Sequence, residues 1–300
     1  MNTKFGNIMA IFDEKSRNLL ERYDLSDAEE IRLRSHRGIE IMYADRFEYI
    51  KTDISPQEIF SVIRRAMRFS LFANEDAMKK GQIVIDGGHR VSFAGKMIMV
   101  NEKISSMDSF NCVCVRLSRE IIGSAKYIIP HILTPDGQLR STLIISPPGM
   151  GKTTVLRDAV RIIASGKNAK KTVIIDERGE ICPGTGGKIF TDAGERSDVL
   201  SNIDKKTGIN IAVRSLSPQL IATDEIGSEE DSISLGDAVR CGVKIIATAH
   251  SDSMADLKRR RWMERIISER VFERYIFIRR IGGKITAESV YDASLREVMI

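Results

Sequence analysis

S-T-L-I-I-S-P-P-G-M-G-K-T-T, residues 141 to 154, decides the fold: an apolar run enters a loop of small residues, and a lysine opens the next element. A phosphate chain must be wrapped without steric bulk, and small residues let successive backbone N–H groups converge on it. Ser146, Pro147, Pro148, Gly149, Met150 and Gly151 read as that cradle, with Ser146 standing where the pattern G-x-x-x-x-G-K-[ST] has its first glycine. Lys152 is the cation expected to reach the β and γ phosphates, Thr153 the hydroxyl offered to Mg²⁺, and Thr154 completes the loop. Val155, Leu156, Ala159, Val160 and Ile163 come next at helical spacing, which gives the strand, loop and helix context the motif requires.

Working outward, the chain from residue 139 alternates strand and helix, the pattern of a parallel sheet. Strands are expected at Ser141 to Ser146, Thr172 to Asp176, Leu220 to Asp224 and Val243 to Thr248. Leu220-Ile221-Ala222-Thr223 delivers Asp224-Glu225, where Asp224 would hold the Mg²⁺ hydration shell and Glu225 would orient the attacking water or accept its proton. A second pair, Asp176-Glu177, ends the earlier strand in V-I-I-D-E-R-G-E, and it is equally open to a catalytic or a structural reading. The strand V-K-I-I-A-T-A-H sets Thr248 and His250 at a carboxyl edge. In the P-loop class whose catalytic Glu follows the strand-end Asp, the next strand inserts between that strand and the P-loop strand, so His250 is expected to sense the γ-phosphate. No N-K-x-D string follows the Asp-Glu strand, which favours ATP over GTP.

The first 125 residues read differently, as a smaller α+β domain without a nucleotide motif. E-I-R-L-R and I-E-I-M-Y form an expected strand pair, with Ile31 and Leu33 on one face and Arg32 and Arg34 on the other. Ser55-Pro56-Gln57-Glu58 is a capping box, followed by Ile59, Val62, Ile63 and Ala66 on one helical face. Asp86-Gly87-Gly88 marks a hairpin turn. The segment I-I-P-H-I-L-T-P-D-G-Q, residues 128 to 138, is the expected hinge ahead of the ATPase core, near the start of an ATPase domain expected over residues 126–300. Within that domain, Ser228 is expected to cap a helix that Gly242 ends, and Y-I-F-I-R-R-I-G-G-K-I-T reads as a final hairpin.

Bulk properties narrow the classes. The 300 residues are 42% hydrophobic and carry a net charge of +5, which allows an anionic partner without demanding one. No signal-peptide pattern opens the sequence and no apolar run nears ~20 residues, so a cytoplasmic chain without a transmembrane segment is expected. Cys112, Cys114, Cys182 and Cys241 have no metal-ligand spacing. Residues 258 to 280 are rich in arginine and read as a basic helix and hairpin, with Trp262 the main candidate for stacking on a nucleic-acid base.

At this point the motifs resemble the stage III sporulation AA family of endospore-forming bacteria, itself similar to type II and type IV secretion and pilus ATPases. The resemblance rests on E-I-R-L-R at 30 to 34, D-G-G-H-R-V at 86 to 91, P-P-G-M-G-K-T-T at 147 to 154 and I-I-D-E-R-G-E at 174 to 180. It continues through R-S-L-S-P at 214 to 218, D-E-I-G at 224 to 227, A-T-A-H at 247 to 250 and V-F-E-R-Y at 271 to 275. It implies an α/β chain with a RecA-like P-loop ATPase core, a parallel sheet flanked by helices, behind the smaller α+β N-terminal domain. It further implies an ATP- and Mg²⁺-dependent homo-hexameric ring on the mother-cell side, peripheral to a membrane-embedded channel or secretion complex. By position, Arg90 and Arg116 are similar to N-terminal-domain arginines that complete a neighbour's site, and Arg214 to an ATPase-domain arginine. Secretion ATPases typically have Gly-Glu where this chain has Asp224-Glu225, and Glu-Asp where it has Asp176-Glu177. Which pair activates water stays open. A hydrolysing ring motor is the leading expectation, an ATP-gated assembly scaffold with negligible turnover the second, and a DNA translocase the third, nucleic acid being the partner least expected.

Overall fold

The computed structural model describes residues 6–67, 81–100, 103–118, 121–185, 187–281 and 284–298. The chain divides into two units, Met1–Arg119 with Pro183–Thr191, and Glu120–Cys182 with Asp192–Ile300.

The first unit begins with two short helices, α1 (Gly6–Met9) and α2 (Glu14–Leu20), the second capped by the Asp13 side chain on Ser16 N–H. Strands β1 (Ala28–Arg34), β2 (Gly38–Tyr43) and β3 (Phe47–Ile50) precede helix α3 (Pro56–Ala66), and β4 (Gln82–Ile85), β5 (His89–Val100) and β6 (Lys103–Arg116) come after it. These six strands form one antiparallel sheet in the order β3-β2-β1-β6-β5-β4. Alternation decides its faces: Ile31, Leu33, Ile39, Ile41, Val91, Val113 and Val115 are fully buried, while Arg32 and Arg34 leave the core. The capping box on α3 is formed as expected, and its Ile59, Val62, Ile63 and Ala66 stripe is buried in the same core. At the β4–β5 turn Gly87 and Gly88 take φ of 89° and 76°, a region that favours glycine.

In the second unit the single-turn α4 (Ile129–Ile132) precedes β7 (Thr142–Ser146), which leads to α5 (Lys152–Ile163). Next come β8 (Thr172–Asp176), the two-residue strands β9 (Gly184–Thr185) and β10 (Lys188–Ile189) of the first unit, and β11 (Ser197–Ser201). Helix α6 (Lys205–Ile211) runs into a π-helical turn at Ala212–Leu216 before β12 (Leu220–Thr223). Helix α7 (Glu229–Arg240), β13 (Lys244–His250), α8 (Met254–Lys258), α9 (Arg261–Ser268), β14 (Arg274–Ile281), β15 (Lys284–Asp292) and β16 (Glu297–Val298) complete it. The eight-stranded sheet has the order β11-β8-β12-β13-β7-β14-β15-β16. Pairing is parallel from β11 through β14 and antiparallel for β14–β15–β16. The central strands are apolar throughout because both faces are covered, one by the core containing Leu235, Trp262 and Phe272, the other by that containing Leu156, Val160 and Ile174.

Several expectations shift. The sheet is mixed, since the C-terminal hairpin adds antiparallel strands to the parallel run; its turn at residues 282–283 lies outside the described residues. β13 extends two residues past Thr248 because it pairs with β7 as far as His250 opposite Ser146. The segment expected to act as a hinge is folded into the second unit, where Ile128, Ile132 and Leu139 are buried in the core against α5. The basic stretch forms a helix and the first strand of a hairpin as expected, but Trp262, Met263 and Ile266 are buried, so Trp262 offers no open ring for a base. Arg260, Arg265 and Arg279 are engaged by Asp256, Glu269 and Glu288.

Candidate phosphate site at the sheet edge

The loop 146–151 lies at the carboxyl end of β7, where open α/β sheets bind ligands. Gly151 caps α5 with φ of 91°, and an added Cβ would stand 2.8 Å from Ile285 Cδ1. Only a residue without Cβ turns the chain this tightly into the helix. Lys152, the first residue of α5, is 6% exposed and folds back over the loop. Its ammonium donates to Ser146 O at 2.9 Å, Ser146 Oγ at 3.2 Å and Pro147 O at 2.9 Å, and meets His250 Nδ1 at 2.9 Å. Burial lowers its pKa to about 8, against the opposing pull of Glu225. Thr153 and Thr154 are half-buried in the first turn of α5, and Thr154 O accepts from Ser124 Oγ at 3.2 Å.

The strand order places the other expected residues. β13 lies between β7 and β12, which brings His250 beside Lys152 on one side and Glu225 on the other. His250 Nε2 is 3.0 Å from Glu225 Oε1. Glu225 has φ of 50°, unusual for a residue with a Cβ, and its N–H donates to Thr248 Oγ1 at 2.8 Å. Asp224, directly before it, is 4% exposed; burial first, then Asp176 and Glu180, push its pKa up to about 6. Asp224 and the Thr153 hydroxyl are hard oxygen donors of the kind Mg²⁺ accepts alongside substrate phosphates and water. A buried carboxylate whose charged form is this disfavoured suits an incoming divalent cation, so the residues present fit the metal.

Asp176 and Glu177 part company. Asp176 is fully buried and its carboxylate accepts the N–H groups of Glu180 and Cys182, both at 2.7 Å, which closes the turn after β8. Glu177 instead pairs with Lys205 Nζ at 2.7 Å. Two cations not expected from the sequence enter here: Lys205, and Arg178, which pairs with Glu225 Oε2. Arg178 stands inside the D-E-R-G-E string, where an arginine beside two acids is a visible signal; Lys205 has no local signature. The three expected arginines divide between the units, Arg214 in the second and Arg90 and Arg116 in the first. Arg214 is exposed on the π-helical turn and lines a groove of about 410 Å³ between α6 and α7 with Lys206, Asn210 and Asp237. Arg90 and Arg116 belong to the first unit, opposite each other across β5 and β6.

Comparison with known proteins gives the family and the fold. The family model described as "Sporulation stage III, protein AA" matches residues 2–298. Stage III sporulation protein AA of Bacillus subtilis (strain 168) is 34% identical over 269 residues, 89% of this chain and 87% of that protein. Among solved structures, the pilus retraction motor PilT with bound ADP aligns with a TM-score of 0.64 at 15% identity, over 92% of this chain and 81% of that one. The Legionella pneumophila ATPase DotB aligns at 0.59 and 15%, over 93% and 80%. The fold is therefore that of the P-loop secretion ATPases, with an antiparallel-sheet N-terminal part.

Proposed function

Because this chain belongs to the family of sporulation stage III protein AA, we propose that it is an ATPase energising a transenvelope channel or secretion complex during endospore formation. It would work as a homo-hexameric ring on the mother-cell side, peripheral to its membrane-embedded partners. Among the described residues no helix is long and apolar enough to cross a membrane.

The observation that carries the reading is Lys152 held over the loop carbonyls of Ser146 and Pro147 while joined through His250 to Glu225. An ammonium in that place is a phosphate ligand waiting for a better acceptor. On ATP binding Lys152 exchanges loop carbonyls for β- and γ-phosphate oxygens, and the glycine-rich backbone supplies further donors. Thr153 and Asp224 would hold Mg²⁺, which spreads the charge of the phosphates. Glu225 orients the attacking water, and His250, released from Lys152, faces the γ-phosphate. Arg90, Arg116 and Arg214 are proposed to act across subunit contacts of the ring, as charge-stabilising groups in trans.

Phosphate release by the purified chain, measured over a range of concentrations beside Lys152→Ala and Glu225→Gln with sizing in ATP, tests this. Turnover that both substitutions abolish, rising faster than protein concentration, is the expected result. ATP binding without turnover would favour the assembly scaffold, and hydrolysis stimulated by DNA would favour the translocase. The burial of Trp262 weighs against the last of these.

A further inference from the structure

The two acid tips carry their own counter-ions, and the strand order sorts them. β8 lies between β11 and β12. Lys205, in the segment after β11, draws Glu177 at 2.7 Å. Arg178, beyond the end of β8, reaches the tip of the adjacent β12 and takes Glu225 Oε2. The other oxygen, Oε1, faces His250 Nε2 at 3.0 Å. Lys152 Nζ can only donate, so His250 Nδ1 accepts at 2.9 Å and the ring proton sits on Nε2, directed at Glu225. A row Lys152, His250, Glu225, Arg178 thus runs from the phosphate loop to the turn after β8.

We propose that Arg178 is a positioning residue that holds the Glu225 carboxylate against His250, in the orientation from which it directs the attacking water. This rests on the ATPase reading above. The main chain of Glu225 is already fixed: its φ is 50°, its N–H donates to Thr248 Oγ1, and Ile226 N–H donates to Thr248 O at 2.9 Å. What remains free is the direction of the side chain, and its two oxygens are claimed by His250 and Arg178, one each. The Arg178 side chain is 62% exposed, so the pair adds little to stability and acts through geometry. A planar guanidinium fixes a carboxylate in direction as well as distance, which a lysine at the same place does only in part.

The test uses the full chain, with Arg178→Gln and Arg178→Lys. Without nucleotide, a long-range ¹H–¹⁵N spectrum gives an imidazole pattern for each of the four histidines. Arg178→Gln is expected to move the His250 pattern, as Nε2–H loses a fixed acceptor, and to leave those of His36, His89 and His131 in place; Arg178→Lys moves it less. With saturating Mg·ATP, Arg178→Gln is expected to lower kcat by about 10- to 100-fold, with KM and Tm unmoved and part of kcat restored by Arg178→Lys. A His250 pattern that does not change, or a kcat equal to that of the unsubstituted chain, overturns the proposal. An unsubstituted chain without turnover overturns the ATPase reading instead, and the imidazole spectrum still decides whether Arg178 holds Glu225.

Discussion

Asp224 and Lys152 are each buried in the charge state that burial penalises, and each therefore makes the pH dependence of the site calculable. Asp224 has its pKa raised to about 6 from 3.8, so it contributes stability at low pH that is lost as pH rises between those values. At pH 7 the ionised group costs the ligand-free fold on the order of 3 kcal/mol. Asp224→Asn should therefore raise stability at pH 7.5, by about 1–2 kcal/mol once relaxation is allowed for. The gain should shrink as the pH falls from 6 towards 4, which urea melts at three pH values would show. Lys152 has the opposite partner effect. Its pKa lies near 8 without ligand, and a bound phosphate favours the ammonium, so binding takes up a proton above that pH. Affinity for Mg·ATP should be highest between about pH 6 and 8. It should fall on the acid side as Asp224 protonates and on the alkaline side by up to about tenfold per pH unit. Calorimetric titration from pH 5 to 9.5 measures both limbs, and Asp224→Asn should remove the acid one.

At the scale of the element, the two loop glycines separate backbone strain from steric fit. Gly149 has φ of 77° with nothing within 4 Å of an added Cβ, whereas Gly151 has φ of 91° and meets Ile285. Gly149→Ala should cost about 1–2 kcal/mol from its left-handed conformation alone. Gly151→Ala should cost more, because Ile285 must leave its place in the core as well. Thermal melts of the pair would show equal losses if Ile285 yields freely. The β4–β5 hairpin gives a comparable test in the first unit. His89 is 4% exposed, its Nδ1 accepts Ser118 N–H at 3.0 Å, and burial lowers its pKa to about 4. Since the unfolded chain takes the proton at about 6.5, stability should drop by roughly 2–3 kcal/mol as the pH falls from 6.5 to 4. His89→Gln should flatten that slope in acid unfolding curves.

These elements also show what the sequence made legible. Regular features with a local cause were readable: the apolar strands of a sheet covered on both faces, the Ser55 and Ser228 caps, the glycine turn at 86–88 and the strand, loop and helix around residues 146–151. Insertion of β13 between β7 and β12 came from strand-order rules, and with it the approach of His250 to the loop. What escaped reading depends on neighbours distant in sequence. The lysine that claims Glu177 comes from α6, the burial of Trp262 from tertiary packing, and the irregular edge strand β11 from pairing with β8 rather than from its own pattern S-D-V-L-S. Asp176 and Asp224 look alike at their strand ends, yet one accepts two backbone N–H groups and the other is left in a cluster of like charge.

For the molecule as a whole, the position of its single tryptophan turns the proposed function into a stability measurement. Trp262 is buried in the core shared by α7, α9 and the central sheet of the second unit, the unit that also carries the phosphate loop. Its fluorescence therefore reports unfolding of that unit specifically. A ligand that binds only the folded form adds RT ln(1 + [L]/Kd), about 2.7 kcal/mol at 100-fold excess over Kd. Mg·ATP should raise the stability read from Trp262 urea melts by that amount, moving the midpoint by the gain divided by the m-value, and Lys152→Ala should abolish the shift. If binding also assembles a ring, the shift must grow with protein concentration, because each contact formed only between folded chains adds its own linkage. A nucleotide effect that is independent of concentration would leave the ATP site intact and remove the ring from the proposed mechanism.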